Sequence, residues 1–243
     1  MANVDLLIDA DLLLYKAACG VEKEVRWDEE NHMLWSNKED AWGVIEDNIR
    51  SLQNQFEPVD MIFCLTGKGN FRKEVYPDYK GNRLGVRKPL CYADLTYRLK
   101  VDYTVRMLEG LEADDIMGIL ATSPSNRNRI IVSEDKDMRS IPCTLYQKGE
   151  TVHISKKEAD YNHMYQTLVG DQSDNYPGCP GVGPVKARKA LDGTHNLWLG
   201  VVAEYQNHGL TEDDALVMAQ ISRICRVEDW DSEKKEAILW TPK

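Results

Sequence analysis

The run Val-Asp-Leu-Leu-Ile-Asp at Val4–Asp9 sets the fold class, because it is almost wholly apolar and ends at an aspartate. A short apolar run of this kind is typical of a parallel strand that is buried on both faces. The residues that follow, Leu12–Ala18, have a helical pattern. We therefore predict a buried strand at residues 4–8 that is followed directly by a helix.

The alternation of strand and helix continues along the chain. Further strands are predicted at Val59–Leu65 and Arg129–Ser133, with a weaker one at Cys143–Gln147. Helices are predicted at Asn37–Gln55 (capped by Ser36 or Asn37), after Pro89, at Glu112–Ala121, and from Lys156 onward with a Gly/Pro interruption at Gly170–Pro184. This alternation predicts an α/β fold with a central, mostly parallel sheet flanked by helices.

Length and composition are those of an ordinary globular protein. The 243 residues suffice for an α/β core, which we place at 1–155, and a helical module at 156–243 with acidic C-terminal helices. No apolar run approaches the roughly 20 residues that span a bilayer, and the start lacks a signal-peptide pattern. The six cysteines form no Cys-x-x-Cys pair. We expect a cytoplasmic protein with reduced thiols and no membrane partner.

The net charge of −10 argues against a nucleic-acid partner, but the distribution of the charge argues for one. Residues 68–88 contain seven basic and two acidic side chains. Three basic residues and no acid lie between Gly178 and Ala190, whereas the tail from Glu212 to Glu236 is acidic. Part of the negative charge therefore lies away from the two basic stretches.

Acidic residues recur where a parallel sheet would gather them. The four groups are Asp9, Glu112–Asp115, Glu134–Asp137 and Asp171–Asp174. Asp9 follows the first strand, and Asp135 and Asp137 follow the third, at the carboxyl edge where open parallel sheets bind ligands. Carboxylates suit hard cations such as Mg²⁺, and two such ions ~3.5–4 Å apart can hydrolyse a phosphodiester. Each acidic pair alone is commonly a helix cap or a turn, so the joint pattern carries the prediction.

Two other stretches have a composition suited to nucleic acid. Glycines in Pro177–Ala187 allow the backbone to approach a ligand, and Lys186 and Lys189 follow them; the alternative is a plain loop. Phe71–Arg83 mixes cations with aromatic rings, which suits stacking and phosphate contact with a single strand; the alternative there is an exposed basic loop.

The ordered set of motifs resembles the 5′→3′ exonuclease/flap endonuclease family, which includes phage exonucleases and the 5′-nuclease domain of bacterial DNA polymerase I. The matching stretches are Leu7–Ala10, Phe71–Arg72, Tyr79–Arg83, Glu112–Asp115, Ser133–Asp137 and Gly170–Ala187. They run in family order over roughly residues 5–190, and the short chain looks most similar to the phage exonucleases.

The resemblance implies a PIN-like 5′-nuclease fold. It implies a basic arch at about residues 66–100 and a helix–three-turn–helix DNA-binding module at about 165–191. The implied activity is 5′→3′ exonuclease, with flap endonuclease and RNase H-like primer removal in DNA replication. The implied cofactor is Mg²⁺, two or more ions per site with Mn²⁺ as a substitute, plus a monovalent cation at the helix–three-turn–helix. The implied partner is duplex DNA with a 5′ end, overhang or flap, or an RNA–DNA hybrid, met in the host cytoplasm if the protein is phage-encoded.

The resemblance also implies residue roles. A first metal would be served by Asp9, Glu112 and Asp114 with Asp115 nearby, and a second by Asp135, Asp137, Asp171 and Asp174. Lys80 and Arg83 would steady the scissile phosphate. DNA contacts would come from Arg72, Lys73, Tyr79, Gly178, Gly181, Gly183, Lys186 and Lys189. The family usually has an aspartate after the second strand, where this chain has Thr66; its hydroxyl could hold a metal-coordinated water.

Two other functions compete with this one. Asp9-Ala10-Asp11 after an apolar strand resembles the nucleophile motif of haloacid-dehalogenase-type phosphatases, with Asp9 as nucleophile and Asp11 as acid/base. That function leaves Glu112–Asp115 and the Gly178–Lys186 stretch unexplained. A non-catalytic DNA-binding module with a decayed site is the second alternative, and only the missing acid near Thr66 supports it.

Overall fold

The computed structural model describes residues 3–28 and 31–242. Its strands and helices in chain order are β1 Val4–Asp9, α1 Ala10–Val21, β2 Lys23–Arg26, β3 His32–Trp35, α2 Lys38–Phe56, β4 Asp60–Cys64, α3 Arg72–Val75, α4 Tyr92–Asp102, β5 Val105–Arg106, α5 Ala113–Thr122, β6 Asn128–Val132, β7 Cys143–Gln147, β8 Glu150–Ile154, α6 Lys156–Val169, α7 Pro184–Asp192, α8 Leu197–Asn207, α9 Glu212–Ser222, β9 Trp230–Asp231 and β10 Glu236–Ala237. Short 3₁₀ turns lie at Gly81–Arg83, Lys136–Ser140 and Val227–Asp229.

A six-stranded sheet in the order β5-β4-β1-β6-β7-β8 forms the centre of the fold. The first five strands are parallel and only β8 is antiparallel to its neighbour β7, so the predicted mostly parallel sheet is confirmed. Strand β1 lies in the middle, where Leu6 and Leu7 are fully buried. Alternate residues of a strand face opposite sides, so helices on both faces explain why this run is apolar without alternation.

The two faces of the sheet carry separate apolar clusters. Leu6 and Ile8 pack with helices α1, α2 and α4, for example against Ile45. Leu7 packs on the other face with α5, for example against Ile116. Both faces are therefore closed by helices, and only the strand ends remain for a functional site.

Helices α6 to α9 surround a third apolar cluster that includes Leu168 and Tyr205. Ile224 and Cys225, which follow α9, pack instead with α5 beside the sheet, so the predicted module at 156–243 is joined to the core by its own tail. The prediction of helix through the acidic tail is wrong beyond Ser222, because a 3₁₀ turn and the β9–β10 hairpin follow. Among the described residues no helix is long and apolar enough to cross a bilayer.

Some elements were missed or misplaced by the sequence pattern. All eight residues of the β2–β3 hairpin are exposed, so no buried face imposes an alternating pattern on them. The edge strand β8 buries only Ile154 and gives an equally weak pattern. Pro89 does not open α4, which begins three residues later at Tyr92 after a turn.

The Gly170 and Gly178 backbones touch, which closes the connection between α6 and α7. A Cβ on Gly178 would lie 2.4 Å from Gly170 N and 2.6 Å from Leu168 O, and Gly178 has φ +64°. We expect Gly178→Ala to destabilise the protein by well over 2 kcal/mol, because backbone atoms must move and the left-handed conformation alone costs roughly 1–2 kcal/mol. Urea unfolding measures the change in free energy of unfolding.

Gly181→Ala is the matched control for that substitution. Gly181 has a similar φ of +72°, but its Cβ would meet only the His208 ring, at 3.7 Å. Gly181→Ala should lower the free energy of unfolding only by the cost of the left-handed conformation, about 1–2 kcal/mol. Equal costs for the two variants would show that the close approach of Gly170 and Gly178 is unimportant.

His163 in α6 is a fully buried histidine. Its Nε2 lies 2.8 Å from Ala219 O, and Trp240 packs edge-on against the ring. Burial lowers the pKa of His163 to about 3, and the charge of Arg223 adds to this. The neutral ring is therefore the form that the folded state requires.

This histidine should make folding pH-dependent. With a folded pKa near 3 and an unfolded pKa near 6.5, only the unfolded chain binds the proton in that window. The contribution of neutral His163 to the free energy of unfolding is complete above pH ~6.5 and falls by about 1.4 kcal/mol per pH unit below it. We expect the difference in free energy of unfolding between wild type and His163→Gln to decrease at this rate as the pH is lowered from 6.5 to 4. A difference that does not vary with pH would contradict this.

Candidate active site

Asp9 lies at the carboxyl edge of the sheet, where β1 passes into α1. Its Oδ1 accepts a hydrogen bond from Leu12 N (3.0 Å), which caps α1, and its Oδ2 accepts one from Ser133 Oγ (2.7 Å) at the end of β6. Burial raises the pKa of Asp9 to about 6, and the charges of Asp11 and Asp135 add to the rise. The parallel register thus joins two segments that are 124 residues apart.

Asp114 approaches Asp9 from the first turn of α5. Glu112 is the N-cap residue of that helix and is buried. Desolvation raises the pKa of Asp114 well above its usual value, and the charges of Asp9 and Asp135 raise it further. We call Asp9 and Asp114 the Asp9 cluster.

A second set of acids lies beside the first. We call Asp137, Asp171 and Asp174 the Asp137 cluster. Burial raises the pKa of Asp137 to about 7, and the negative charge of Asp135 is the next largest cause of the rise. Asp135 therefore acts electrostatically on both clusters. Its Oδ1 accepts from Asp137 N (2.8 Å), which fixes the turn after β6.

Asp171 is held by donors from its own loop and from the turn after β6. Lys136 Nζ lies 2.7 Å from its Oδ2, and both the amide and the hydroxyl of Ser173 donate to its Oδ1. Burial opposes ionisation, but these hydrogen bonds lower the pKa of Asp171 below its usual value. The Asp171 carboxylate is therefore ionised, and its position is fixed by Lys136 and Ser173, not by residues of the Asp9 cluster.

Lys80 and Tyr79 bridge the acids of α5 and of the α6–α7 connection. Lys80 Nζ lies 2.5 Å from Glu112 Oε1 and 3.5 Å from Asp174 Oδ2. Tyr79 OH lies within hydrogen-bond distance of the same two carboxylates, at 3.0 and 2.9 Å, and donates its one hydrogen between them. Burial opposes the charge on Lys80, yet Glu112 and Asp174 raise its pKa above the usual value, so the ammonium stays protonated. Arg83 adds a contact of 2.6 Å to Asp174.

The donor set of this edge is suited to hard divalent cations. Within residues 3–28 and 31–242, no three acidic, His or Cys side chains stand ready to hold a metal ion as they are placed. Lysine and arginine nitrogens hold several of the carboxylates instead. All the clustered donors are carboxylate oxygens, the ligands that Mg²⁺ and Mn²⁺ prefer. Burial, and after it repulsion between the carboxylates, raises the pKa values of Asp9, Asp114 and Asp137, and a bound cation would offset that repulsion.

Comparison with known proteins decides the family. Residues 5–166 match the family model described as the N-terminal resolvase-like domain of 5′-3′ exonucleases. The exodeoxyribonuclease of Enterobacteria phage T3 is 31% identical, over 98% of this chain and 93% of that protein. The chain belongs to the 5′-3′ exonuclease family. The exonuclease of Escherichia phage T7 is 28% identical over the same shares of both chains.

Two solved structures share the fold. The bacteriophage T5 D15 flap endonuclease, described as a complex with DNA and metal ions, superposes with a TM-score of 0.69 at 17% identity, covering 90% of this chain and 88% of that one. The catalytic core of Rad2 in complex with DNA substrate gives a TM-score of 0.53 at 16% identity, covering 85% and 64%. The resemblance inferred from the motifs is confirmed, and nothing supports the phosphatase alternative.

Asp115 does not occupy the position predicted for a metal ligand of this 5′-3′ exonuclease. It is fully buried and forms a two-point ion pair with Arg72, at 2.8 and 2.7 Å. Its oxygens also accept from the amides of Cys225 and Glu112, both at 3.0 Å. Burial opposes its charge, but Arg72 lowers the pKa of Asp115. Protein donors occupy both oxygens of Asp115, so this carboxylate is not free to bind a metal ion.

Arg72 and Tyr79 are likewise not placed to contact DNA as predicted. Each is 2% exposed. Besides Asp115, the Arg72 guanidinium donates to the carbonyl oxygens of Ile221 and Arg223 and so ties the C-terminal tail to the core. Tyr79 serves the carboxylates, as described above. Within the segment Phe71–Arg83, Arg72 and Tyr79 are therefore buried, whereas Lys73 and Arg83 are exposed.

The glycines of the α6–α7 connection fall into two classes. Gly178 is buried against Gly170, so its predicted DNA contact is wrong. Gly181, Gly183, Lys186 and Lys189 are exposed, as is Lys73. Gly183 caps α7, and Lys186 Nζ lies 2.9 Å from Gly181 O. Gly181, Gly183 and Lys186 lie at the start of α7, and Lys189 lies in its last turn.

Thr66 completes the start of α5 instead of presenting its hydroxyl to a metal. Its Oγ1 accepts from Ala113 N (3.1 Å), and its own amide donates to Asp11 Oδ2 (2.9 Å). Asp11 Oδ1 accepts from Tyr92 OH (2.9 Å). Asp11 therefore positions the loop after β4. The sequence did not predict this role, nor the contact of Lys136 with Asp171, nor the contact of Ser133 with Asp9. Lys136 and Ser133 both lie within the Ser133–Asp137 motif, and that motif is the sequence signal for their contacts.

Proposed function

We propose that this 5′-3′ exonuclease hydrolyses DNA phosphodiesters at 5′ ends with two Mg²⁺ ions, Mn²⁺ serving as a substitute. One observation supports the proposal above others. Acids from four separate segments meet at one sheet edge, and Lys80 lies between Glu112 and Asp174. The T5 relative is described with DNA and metal ions in its structure.

The Asp9 cluster with Glu112 would hold one cation, and the Asp137 cluster the other, with Asp135 between them. When bound, such cations activate water and stabilise the leaving oxygen of a phosphodiester. The Ser133 hydroxyl and the Leu12 amide keep Asp9 in its orientation. The Ser173 and Lys136 donors do the same for Asp171.

Lys80 and Arg83 would stabilise the charge that develops on the phosphate. Lys80 is protonated and lies against the carboxylates, so its ammonium can pass from Glu112 to a phosphate oxygen without a proton transfer. Tyr79 holds the backbone of this segment in place through Glu112 and Asp174. Arg83 is more exposed than Lys80 and would contact the phosphate from the solvent side.

The surface at the start of α7 would bind the duplex backbone. The amides at a helix start attract phosphate. Gly181, Gly183 and Lys186 are exposed there, and Lys189 is exposed in the last turn of the same helix. A monovalent cation at this turn, and a contact from Lys73 in the arch at about residues 66–100, belong to the same proposal. The substrates would be duplex DNA with a 5′ end, overhang or flap, and RNA–DNA hybrids in primer removal.

Digestion of a duplex labelled at either the 5′ or the 3′ end tests the proposal. With Mg²⁺ we expect mononucleotides or short oligonucleotides to appear first from the 5′ end, and none with EDTA. Early release from the 3′ end would overturn the polarity. Binding without cleavage, in Mg²⁺ and in Mn²⁺, would indicate the non-catalytic DNA-binding module.

A further inference from the structure

A cavity of about 290 Å³ opens beside Asp9, on the α1 and α2 side of the sheet. Asp9 and Ser133 line it and also belong to the candidate active site. A molecule in this cavity therefore lies next to the carboxylates that would surround the reacting phosphate. The volume is at the lower end of small-molecule sites, which suits one nucleotide and excludes an oligonucleotide.

The walls of the cavity are apolar and rigid. Leu12, Leu13 and Val44 line it, and Val44 is 46% exposed although it is a large aliphatic side chain. Tyr146 forms another wall. Its ring is held edge-on by Phe56 at 5.0 Å, and its hydroxyl donates to Gln55 (2.8 Å). An exposed aliphatic surface with a fixed aromatic ring is the surface on which a flat heteroaromatic group packs.

Polar groups on the rim match the rest of a nucleotide. Asn48 and Ser51 lie with Val44 on one stripe of α2. Asn48 Nδ2 donates to Val44 O (2.7 Å), so its Oδ1 and the Ser51 hydroxyl can hydrogen-bond a base edge. Lys16 and Lys148 supply positive charge at the rim. Lys16 is paired with Glu134, but both side chains are about half exposed (50% and 53%), so this ion pair is weak and a phosphate can displace it.

We propose that this cavity binds the nucleoside of the 5′-terminal nucleotide, and after cleavage the released mononucleotide. The inference rests on the proposed function, because it assigns the cavity to the substrate of that reaction. Base contact here positions the terminal nucleotide beside Asp9 and makes the mononucleotide a competitive product inhibitor.

Ser51→Trp tests the assignment by filling the cavity from an exposed position on α2. Asn54→Trp is the matched control, since Asn54 is exposed on the same helix and does not line the cavity. Calorimetry with Mg²⁺ present would compare deoxyadenosine 5′-monophosphate with deoxyribose 5-phosphate, which lacks the base. Wild type and Asn54→Trp should bind the nucleotide about tenfold or more tightly than the sugar phosphate, and Ser51→Trp should lose this preference.

A kinetic comparison completes the test. Ser51→Trp should lower kcat/KM about tenfold on a duplex with an intact 5′-terminal nucleotide, and leave it unchanged when that nucleotide is abasic. Equal losses on both substrates, or nucleotide binding that survives in Ser51→Trp, would overturn the assignment. Absence of DNA cleavage by wild type would overturn the proposed function instead, while the calorimetry still decides whether the cavity binds a nucleotide.

Discussion

Asp135→Asn should lower the rate of DNA cleavage by about 10²–10³-fold or more, because it removes the charge that lies between the two acidic clusters. The fold should survive. Asparagine is as good an N-cap as aspartate, so the contact to the Asp137 amide that fixes the 3₁₀ turn can remain. Single-turnover cleavage of a 5′-labelled duplex measures the loss.

Duplex binding should change little in Asp135→Asn, since the exposed cations and amides at the start of α7 are untouched. Asp213→Asn is the control, because Asp213 is an exposed acid on α9 far from the clusters in sequence; its cleavage rate should equal that of wild type. Cleavage by Asp135→Asn within a few-fold of wild type would exclude Asp135 from the reaction.

The second large effect is expected on the free energy of unfolding and not on the cleavage reaction. Asp115→Asn removes the two-point ion pair of the buried Arg72 guanidinium and leaves only its 3.7 Å contact with Glu112. Breaking a buried pair in this way costs about 3–5 kcal/mol. The same side chain accepts from the amides of Cys225 and Glu112, so the tail and the start of α5 loosen together. Urea unfolding followed by circular dichroism measures the loss.

Two controls separate this structural role from metal binding. In the double variant Arg72→Met/Asp115→Asn no charge is left unpaired, so it should be less destabilised than the sum of the two single variants, by about 1–3 kcal/mol. The Mg²⁺ concentration that gives half-maximal cleavage should be unchanged in folded Asp115→Asn. A tenfold rise in that concentration without loss of stability would return Asp115 to the metal set.

The sequence by itself determined the sheet and the edge at which the site lies. The apolar runs of β1, β4 and β6 predicted buried parallel strands, because strands covered on both faces must be apolar at every position. The aspartates that follow two of these runs then had to meet at the carboxyl edge. Periodicity also located α2, since the buried stripe of a helix repeats along the chain. The sequence left Ser36 and Asn37 open as its cap, and Asn37 is the cap in the structure.

Only the tertiary structure decided what each polar side chain does. Asp114 and Asp115 are adjacent in sequence, yet one faces the carboxylate cluster and the other faces Arg72, because neighbouring helix positions point about 100° apart. Arg72 and Arg83 come from one basic segment, but the first is buried under a tail that arrives about 150 residues later. Composition records which charges a chain carries. Their partners are fixed by contacts between distant segments, and these exist only after the chain has folded.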